Sequence, residues 1–545
     1  MADVIIVGAG LAGLAAAHQA IRRGRRVIIV DQEGRQSLGG QAFWSLGGLF
    51  MVDTPEQRRM GIRDSHALAM QDWMGSAGFD RAEDANPRAW AQAYIDFAAG
   101  PMRAELAEIG MRWFPVVGWA ERGGALADGH GNSVPRFHIT WGAGEGIVAP
   151  YVRLALQAED DGQLEFRFRH KVTGLEVTNG RVAGITGDTL VQDDARRGAS
   201  TSRSVTGQFS LQADAVILTT GGIGGDHAQV RAHWPVDRLG PAPATMVSGV
   251  PDYVDGQMAR AAKSAGAAAI NEDRMWHYCE GLRNWDPIWP NHGIRVLPGP
   301  SSIWFDGNGD RMEPPCMPGF DTLATLRRIL SAGHDHSWFV LTQKIIEKEF
   351  ALSGSEQNPD LVSGRWSTVL KERLGKGATA AVEAFKAKGE DFVVATDLDS
   401  LVQGMNALTP HAPLDPAHIR AQIAARDAQI DNPFAKDAQV IAIRQARAYR
   451  GDRLIRTAKP HKILDPANGP LIAVRLNILT RKSLGGLHTD LASRVLRPDG
   501  TPFDGLFAAG EVAGFGGGGY HGYNALEGTF LGGCIFSGRA AGLAV

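Results

Sequence analysis

Val4, Ile5, Ile6 and Val7 form an unbroken run of branched apolar side chains, and Gly8, Gly10 and Gly13 follow at the spacing G-x-G-x-x-G. A run without polar alternation predicts a parallel strand buried on both faces. The three glycines then have separate duties: a tight turn, backbone approach to a pyrophosphate, and close packing of the next helix on the strand. The context agrees, because an Ala-rich helix pattern covers 11–20, a second strand pattern covers 26–30, and Asp31 ends it where a ribose-binding acid is expected. An acid there favours an adenosine with free 2′ and 3′ hydroxyls. The opening predicts an α/β fold with a Rossmann-like nucleotide-binding domain.

A chain of 545 residues exceeds the usual span of one hydrophobic core, so at least two domains are expected. Lys plus Arg number 56 against 59 Asp plus Glu, a balance that offers no field for nucleic acid. Cys279, Cys316 and Cys534 lie far apart without a C-x-x-C pair, so neither a disulfide framework nor a cysteine-rich metal site is expected. No apolar run reaches the length of a membrane helix, and the first strand pattern begins almost at once, so a cytoplasmic protein without an integral membrane segment is expected. Glycine clusters at 39–48, 221–225, 485–486 and 510–522 suggest backbone packed against a bound cofactor.

Gly39-Gly40, Ser45 and Gly47-Gly48, followed later by Gly221-Gly222 at the end of an apolar strand pattern and by Gly510-Glu511, resemble a known arrangement. It is that of the FAD-binding proteins that include fumarate reductase flavoproteins and 3-ketosteroid dehydrogenases. The resemblance implies FAD as cofactor, with Gly8, Gly10, Gly13, Asp31, Gly39, Gly40, Ser45, Gly47, Gly221, Gly222, Gly510 and Glu511 along it. Asn524, Ala525 and Leu526 stand where the last helix opens, and its first amides are expected at the flavin edge that gains charge on reduction. The resemblance also implies a small sheet inserted at 166–185 with a hairpin turn at Asn179-Gly180.

The domain reading assigns 1–310 and 466–545 to the FAD-binding domain and 311–465 to an inserted, largely helical α+β cap or catalytic domain. Helices are read over 321–330, 338–350, 367–388, 398–408 and 416–427. His334 and His336 lie between helix patterns without an obvious third ligand, so no metal is expected. In the run Arg444, Arg447, Arg450, Arg453 and Arg456, one side chain is a candidate for the active cleft. His138 is read as structural.

The catalytic positions divide the family. A fumarate reductase-like ending reads His-Gly-X-Asn-Arg, whereas here it is His521-Gly522-Tyr523-Asn524-Ala525, and Ala525 cannot bind a carboxylate. Tyr520 followed by Gly522 resembles instead the Tyr-Pro-Gly of 3-ketosteroid dehydrogenases, with His521 in place of proline. The leading expectation is an FAD-dependent oxidoreductase acting on a carbon–carbon bond beside a carbonyl, with Tyr520 first and Tyr523 second for proton transfer or carbonyl recognition. A hydrophobic or carbonyl-bearing small molecule is the expected partner, and the electron acceptor is left open. The alternatives are a reductase of an unsaturated acid, with Arg481 as the substituted cation, and a noncatalytic FAD-stabilised binding or assembly protein.

Overall fold

The computed structural model describes residues 2–123, 131–411 and 413–545. The first strand, Ala2–Val7, lies at the centre of a mainly parallel sheet, between Val27–Asp31 and Val205–Leu218. Leu164–Phe168 extends the sheet beyond Val27–Asp31, and Pro502–Ala508 extends it beyond Val205–Leu218. Ile5 and Ile6 are fully buried, as an apolar strand covered on both faces requires. On one face the first helix, Leu11–Arg22, packs on the last, Thr529–Ala544. They come close because Gly538 and Gly542 face the backbone of Ala12 and Ala16: a Cβ at either would stand within 2.3 Å of a carbonyl oxygen.

Val205–Leu218 belongs to two sheets. Its outer half pairs antiparallel with Arg181–Leu190, which pairs in turn with His170–Thr178 across a tight turn. Asn179 and Gly180 both take positive φ, 51° and 78°, the primed-turn geometry their sequence predicts. The strand pattern at 166–168 has another place than expected. Leu164–Phe168 joins the parallel sheet in register with Val27–Asp31 and not the hairpin.

The second sheet is built around the 13-residue strand Leu471–Ser483. His336–Thr342 runs antiparallel on one side of it, and Phe392–Ala395 and Met275–Arg283 follow on the other, with Gly293–Leu297 beyond. The helix read over 338–350 is therefore corrected. Trp338 to Leu341 are fully buried in strand, and only Gln343–Glu349 is helical, because a short apolar run bounded by polar residues suits a strand enclosed on both faces. The span 367–388 divides into Trp366–Leu374 and Ala380–Lys388. The unit expected over 311–465 shares this sheet with strands on both sides of that range, from Val247–Ser248 to Leu471–Ser483.

Among the described residues no helix is long and apolar enough to cross a membrane, and no group of His, Cys, Asp or Glu is arranged to hold a metal. Asp335 is occupied by the Thr245 amide and hydroxyl. The arginine run is used internally: Arg444 donates to the Ile430 and Asn432 carbonyls, Arg447 to Thr457 and Arg456 to Leu297. None of the five lines the cleft described next.

Candidate active site

An elongated cleft of about 1710 Å³, mouth included, runs between the parallel sheet and the second sheet. At the end formed by the first strand it is lined by Gly8, Gly10, Asp31, Gly39, Gly40 and Gly221. Gly8, at φ +105°, lies against Thr219, and a Cβ there would stand 2.7 Å from the Thr219 carbonyl oxygen. At Gly13 a Cβ would meet the Gly8 carbonyl at 2.1 Å, so this glycine serves helix packing and does not line the cleft. Gly10 differs from both, because its Cβ position has no protein atom nearer than 4.0 Å. The space beside Gly10 belongs to the cleft.

The Ala9 amide donates to Asp31 Oδ2 at 2.7 Å and the Glu33 amide to Oδ1 at 2.8 Å, fixing the carboxyl at the strand end. Burial pushes Asp31 up to about 6 despite these two bonds. Farther along, Glu511 accepts from the Ser483 amide at 2.9 Å and from Gln41 Nε2 at 3.0 Å, with Lys482 Nζ at 3.3 Å. Lys482 also donates to Gln41 Oε1. Gly222 carries this carboxylate against its backbone, where a Cβ would stand 2.3 Å from Glu511 Oε1. Ser45 and Gly47 line the same cleft, as does Gly510, but the Ser45 hydroxyl already donates to the Ala42 carbonyl at 2.7 Å.

The tyrosines singled out from the sequence are elsewhere. Tyr520 is fully buried outside the cleft lining, packed on Trp73 and Tyr94, and its hydroxyl donates to the Thr529 carbonyl at 2.6 Å. This corrects the expectation of proton transfer at Tyr520: the phenol joins the loop to the last helix, and burial drives its pKa well up. Tyr523 also lies outside the lining; it donates to Asp80 at 3.0 Å and stacks with Arg238 and Arg274. Asn524 donates to the Ser76 carbonyl, and Ala525 and Leu526 are buried without lining the cleft. Arg481 does line it, and one of its guanidinium nitrogens reaches the Gly249 carbonyl. His138 is satisfied by Thr54 and the Arg136 carbonyl, and burial lowers it to about 4, which keeps it neutral.

At the far end the cleft wall carries Tyr278, Arg295 and Glu527, residues the sequence reading passed over. Arg295 Nη1 donates to Glu527 Oε1 at 2.8 Å, and the guanidinium carbon sits 3.6 Å from the centre of the Tyr278 ring. Glu280 and Glu121 each approach the same guanidinium to 3.6 Å. All four charged side chains are nearly enclosed, with exposures of 5% for Arg295, 8% for Glu527 and 3% for both Glu121 and Glu280. Desolvation pushes Glu121 and Glu280 up toward their neutral forms, while the surrounding acids hold Arg295 charged. The signal available in the sequence was a lone charge in an apolar run: Arg295 within Gly-Ile-Arg-Val-Leu and Glu527 within Ala-Leu-Glu-Gly-Thr-Phe.

Comparison with known proteins accords with this geometry. The family model for the FAD binding domain matches residues 3–531. A KsdD-like steroid dehydrogenase of Mycolicibacterium smegmatis is 59% identical over 530 residues, covering 97% of this chain and 96% of the relative. A protein of the same name from Mycobacterium tuberculosis is 58% identical over 541 residues, covering 99% and 95%. In fold, the 3-ketosteroid delta1-dehydrogenase of Sterolibacterium denitrificans superposes with a TM-score of 0.67 at 17% identity, covering 99% of this chain and 98% of that one. A flavocytochrome c3 fumarate reductase gives 0.63 at 19%, covering 100% and 78%. The cofactor is FAD, and the open space at Gly10 together with the carboxyl at Asp31 fits its pyrophosphate and ribose. The chain belongs to the FAD-binding domain family of flavin-dependent oxidoreductases, in the group of its KsdD-like steroid dehydrogenase relatives.

Proposed function

We propose that this protein removes two hydrogens from adjacent carbons beside the ketone of a flat, polycyclic, steroid-like substrate. The observation that carries the reading is the far end of the cleft. There the apolar walls of Leu46, Phe137, Leu297, Leu479 and Phe530 surround the polar group of Tyr278, Arg295 and Glu527. An apolar chamber with one convergent polar corner suits a large hydrocarbon skeleton held by a single carbonyl. The steroid relatives and ketosteroid dehydrogenase neighbours support the same substrate class.

Bound FAD supplies a hydride acceptor. Gly10, with open space at its Cβ position, and the neighbouring Gly8, Gly39, Gly40 and Gly221 on the same wall would hold its phosphates, and Asp31 would accept from the ribose hydroxyls. Gln41, Lys482 and Glu511 would offer polar contacts between the phosphates and the ring, and Gly528 opens the last helix beside the cleft. Tyr278 is the carbonyl donor in this proposal. Its hydroxyl has no hydrogen-bond partner among the described residues, and burial keeps it protonated. Arg295 over its ring adds positive charge where an enolate forms. The free thiols Cys279, Cys316 and Cys534 are consistent with a reducing cytoplasm.

Anaerobic titration of the FAD-loaded protein with a panel of 3-ketosteroids tests the reading: flavin absorbance falls and the product has lost two hydrogens. A reductase of an unsaturated acid is the second reading, favoured by Arg481 on the cleft wall. Reoxidation of the reduced protein by unsaturated dicarboxylates and not by enones would select it.

A further inference from the structure

A dehydrogenation beside a ketone needs a base for the α hydrogen, and with Tyr520 and Tyr523 outside the cleft the base must be sought among the acids on its wall. Asp31 is held by the Ala9 and Glu33 amides at the opposite end. Glu511 has both oxygens engaged, by the Ser483 amide on one side and by Gln41 and Lys482 on the other. Asp255 has only Oδ1 held, by the Gln257 amide, but it stands at the nucleotide end, next in sequence to Val254, which packs on Gly221. Glu527 is different. Its Oε1 is pinned by Arg295 at 2.8 Å and by Trp276 Nε1 at 3.4 Å, while Oε2 has no hydrogen-bond partner among the described residues. The residue lines the cleft immediately before Gly528, the N-cap of the last helix.

We infer that Glu527 is the proton acceptor of this enzyme, taking the substrate's α hydrogen on Oε2. The inference rests on the ketone dehydrogenation proposed above. The α C–H bond breaks, its proton forms the Glu527 O–H bond, and the electron pair moves onto the carbonyl oxygen as an enolate. The enolate then collapses to the new carbon–carbon double bond as the β hydrogen leaves as hydride to the bound FAD, so the substrate is oxidised and the flavin reduced.

The surrounding charges suit the step. Glu527 is held in direct hydrogen bond by Arg295. When Glu527 takes the proton, Arg295 still has the Tyr278 ring face at 3.6 Å and the carboxyl oxygens of Glu121 and Glu280 at 3.6 Å as polar neighbours. Arg295 acts as a positioning residue, holding Oε1 and leaving Oε2 without a hydrogen-bond partner among the described residues.

The test separates proton removal from hydride transfer. The FAD-loaded protein, reduced so that it accepts no hydride, is incubated in D2O with a 3-ketosteroid that bleaches the oxidised wild type, and α-hydrogen exchange is followed by mass spectrometry. Wild type exchanges. Glu527→Gln, which still offers Oε1 to Arg295, retains FAD and ketone binding within about threefold but loses exchange and anaerobic flavin reduction by roughly 10²-fold or more. Tyr523→Phe, outside the cleft, exchanges at the wild-type rate. Should Glu527→Gln fail to hold FAD, Glu527→Asp withdraws the carboxylate by one methylene and is expected to exchange more than tenfold slower. Exchange at the wild-type rate in either acid variant overturns the assignment while leaving the dehydrogenase reading intact. A wild type that neither exchanges nor bleaches with any ketone overturns both.

Discussion

Tyr520 and Thr529 are joined by a 2.6 Å hydrogen bond, the phenol donating to a carbonyl in the first turn of the C-terminal helix. The ring fills space against Trp73 and Tyr94, and Gly533 lies so near that a Cβ there would stand 2.4 Å from the phenol oxygen. Tyr520→Phe should therefore cost about 0.5–1.5 kcal/mol of stability through the lost hydrogen bond, because helix geometry leaves the Thr529 carbonyl its intrahelical partner. Its anaerobic flavin reduction rate should stay within a few fold of wild type. Urea melts and stopped-flow reduction on the same preparation check both halves.

Gly10 and Gly13 should respond differently to the same methyl group. Gly10 has φ −74° and no protein atom nearer than 4.0 Å to its Cβ position, so Gly10→Ala is expected to fold normally and to weaken FAD binding by roughly tenfold or more. Gly13→Ala drives a methyl into the Gly8 carbonyl, so it should lose about 1–3 kcal/mol even without cofactor. Denaturant melts of the cofactor-free proteins and FAD titrations distinguish them.

Asp31 carries a pH signature. Its folded pKa of about 6 lies above the 3.8 of an unperturbed aspartate, so the folded state binds the proton more tightly. Its contribution to stability is full below about pH 4 and is lost as the pH rises to about 6. Relative to Asp31→Asn, which does not titrate, the cofactor-free wild type should weaken across that window and stay level above it. Urea melts at a series of pH values measure the difference.

Tyr278→Phe removes the donor proposed for the carbonyl oxygen. The expected result is a fall of roughly 10²-fold in the flavin reduction rate, the scale for loss of one donor to a developing oxyanion, with FAD content unchanged. Single-turnover reduction with a saturating 3-ketosteroid measures it.

Arg136 donates to Asp64 at 2.8 Å and to Asp72 at 2.6 Å, with all three side chains fully buried, just before the short strand Phe137–Ile139 on the cleft wall. Arg136→Met leaves two buried carboxylates beside an apolar side chain and should cost about 3–5 kcal/mol. Thermal denaturation of the holoprotein reads this directly.

The nucleotide end of the cleft was legible in the sequence because its chemistry is local. One strand, one glycine turn, one helix and the acid after the next strand occupy the first 31 residues, and hydrophobic periodicity with glycine spacing specifies each of them. The hairpin at Asn179-Gly180 was legible for the same reason. The reacting end was not. Tyr520 and Glu527 are seven positions apart in one glycine-rich segment, and nothing local says which of them faces the cleft. That is decided by the helices His66–Ala77 and Ala85–Ala99, whose Trp73 and Tyr94 enclose the tyrosine. Glu527 becomes a candidate only when the second sheet brings Arg295 to it across 232 positions of chain and sets Glu121 and Glu280 around the same guanidinium. The sequence by itself determined the cofactor fold, because backbone turns and apolar periodicity are properties of neighbouring residues. Only the tertiary structure decided which polar groups are desolvated together, because burial and charge pairing arise from the packing of distant segments.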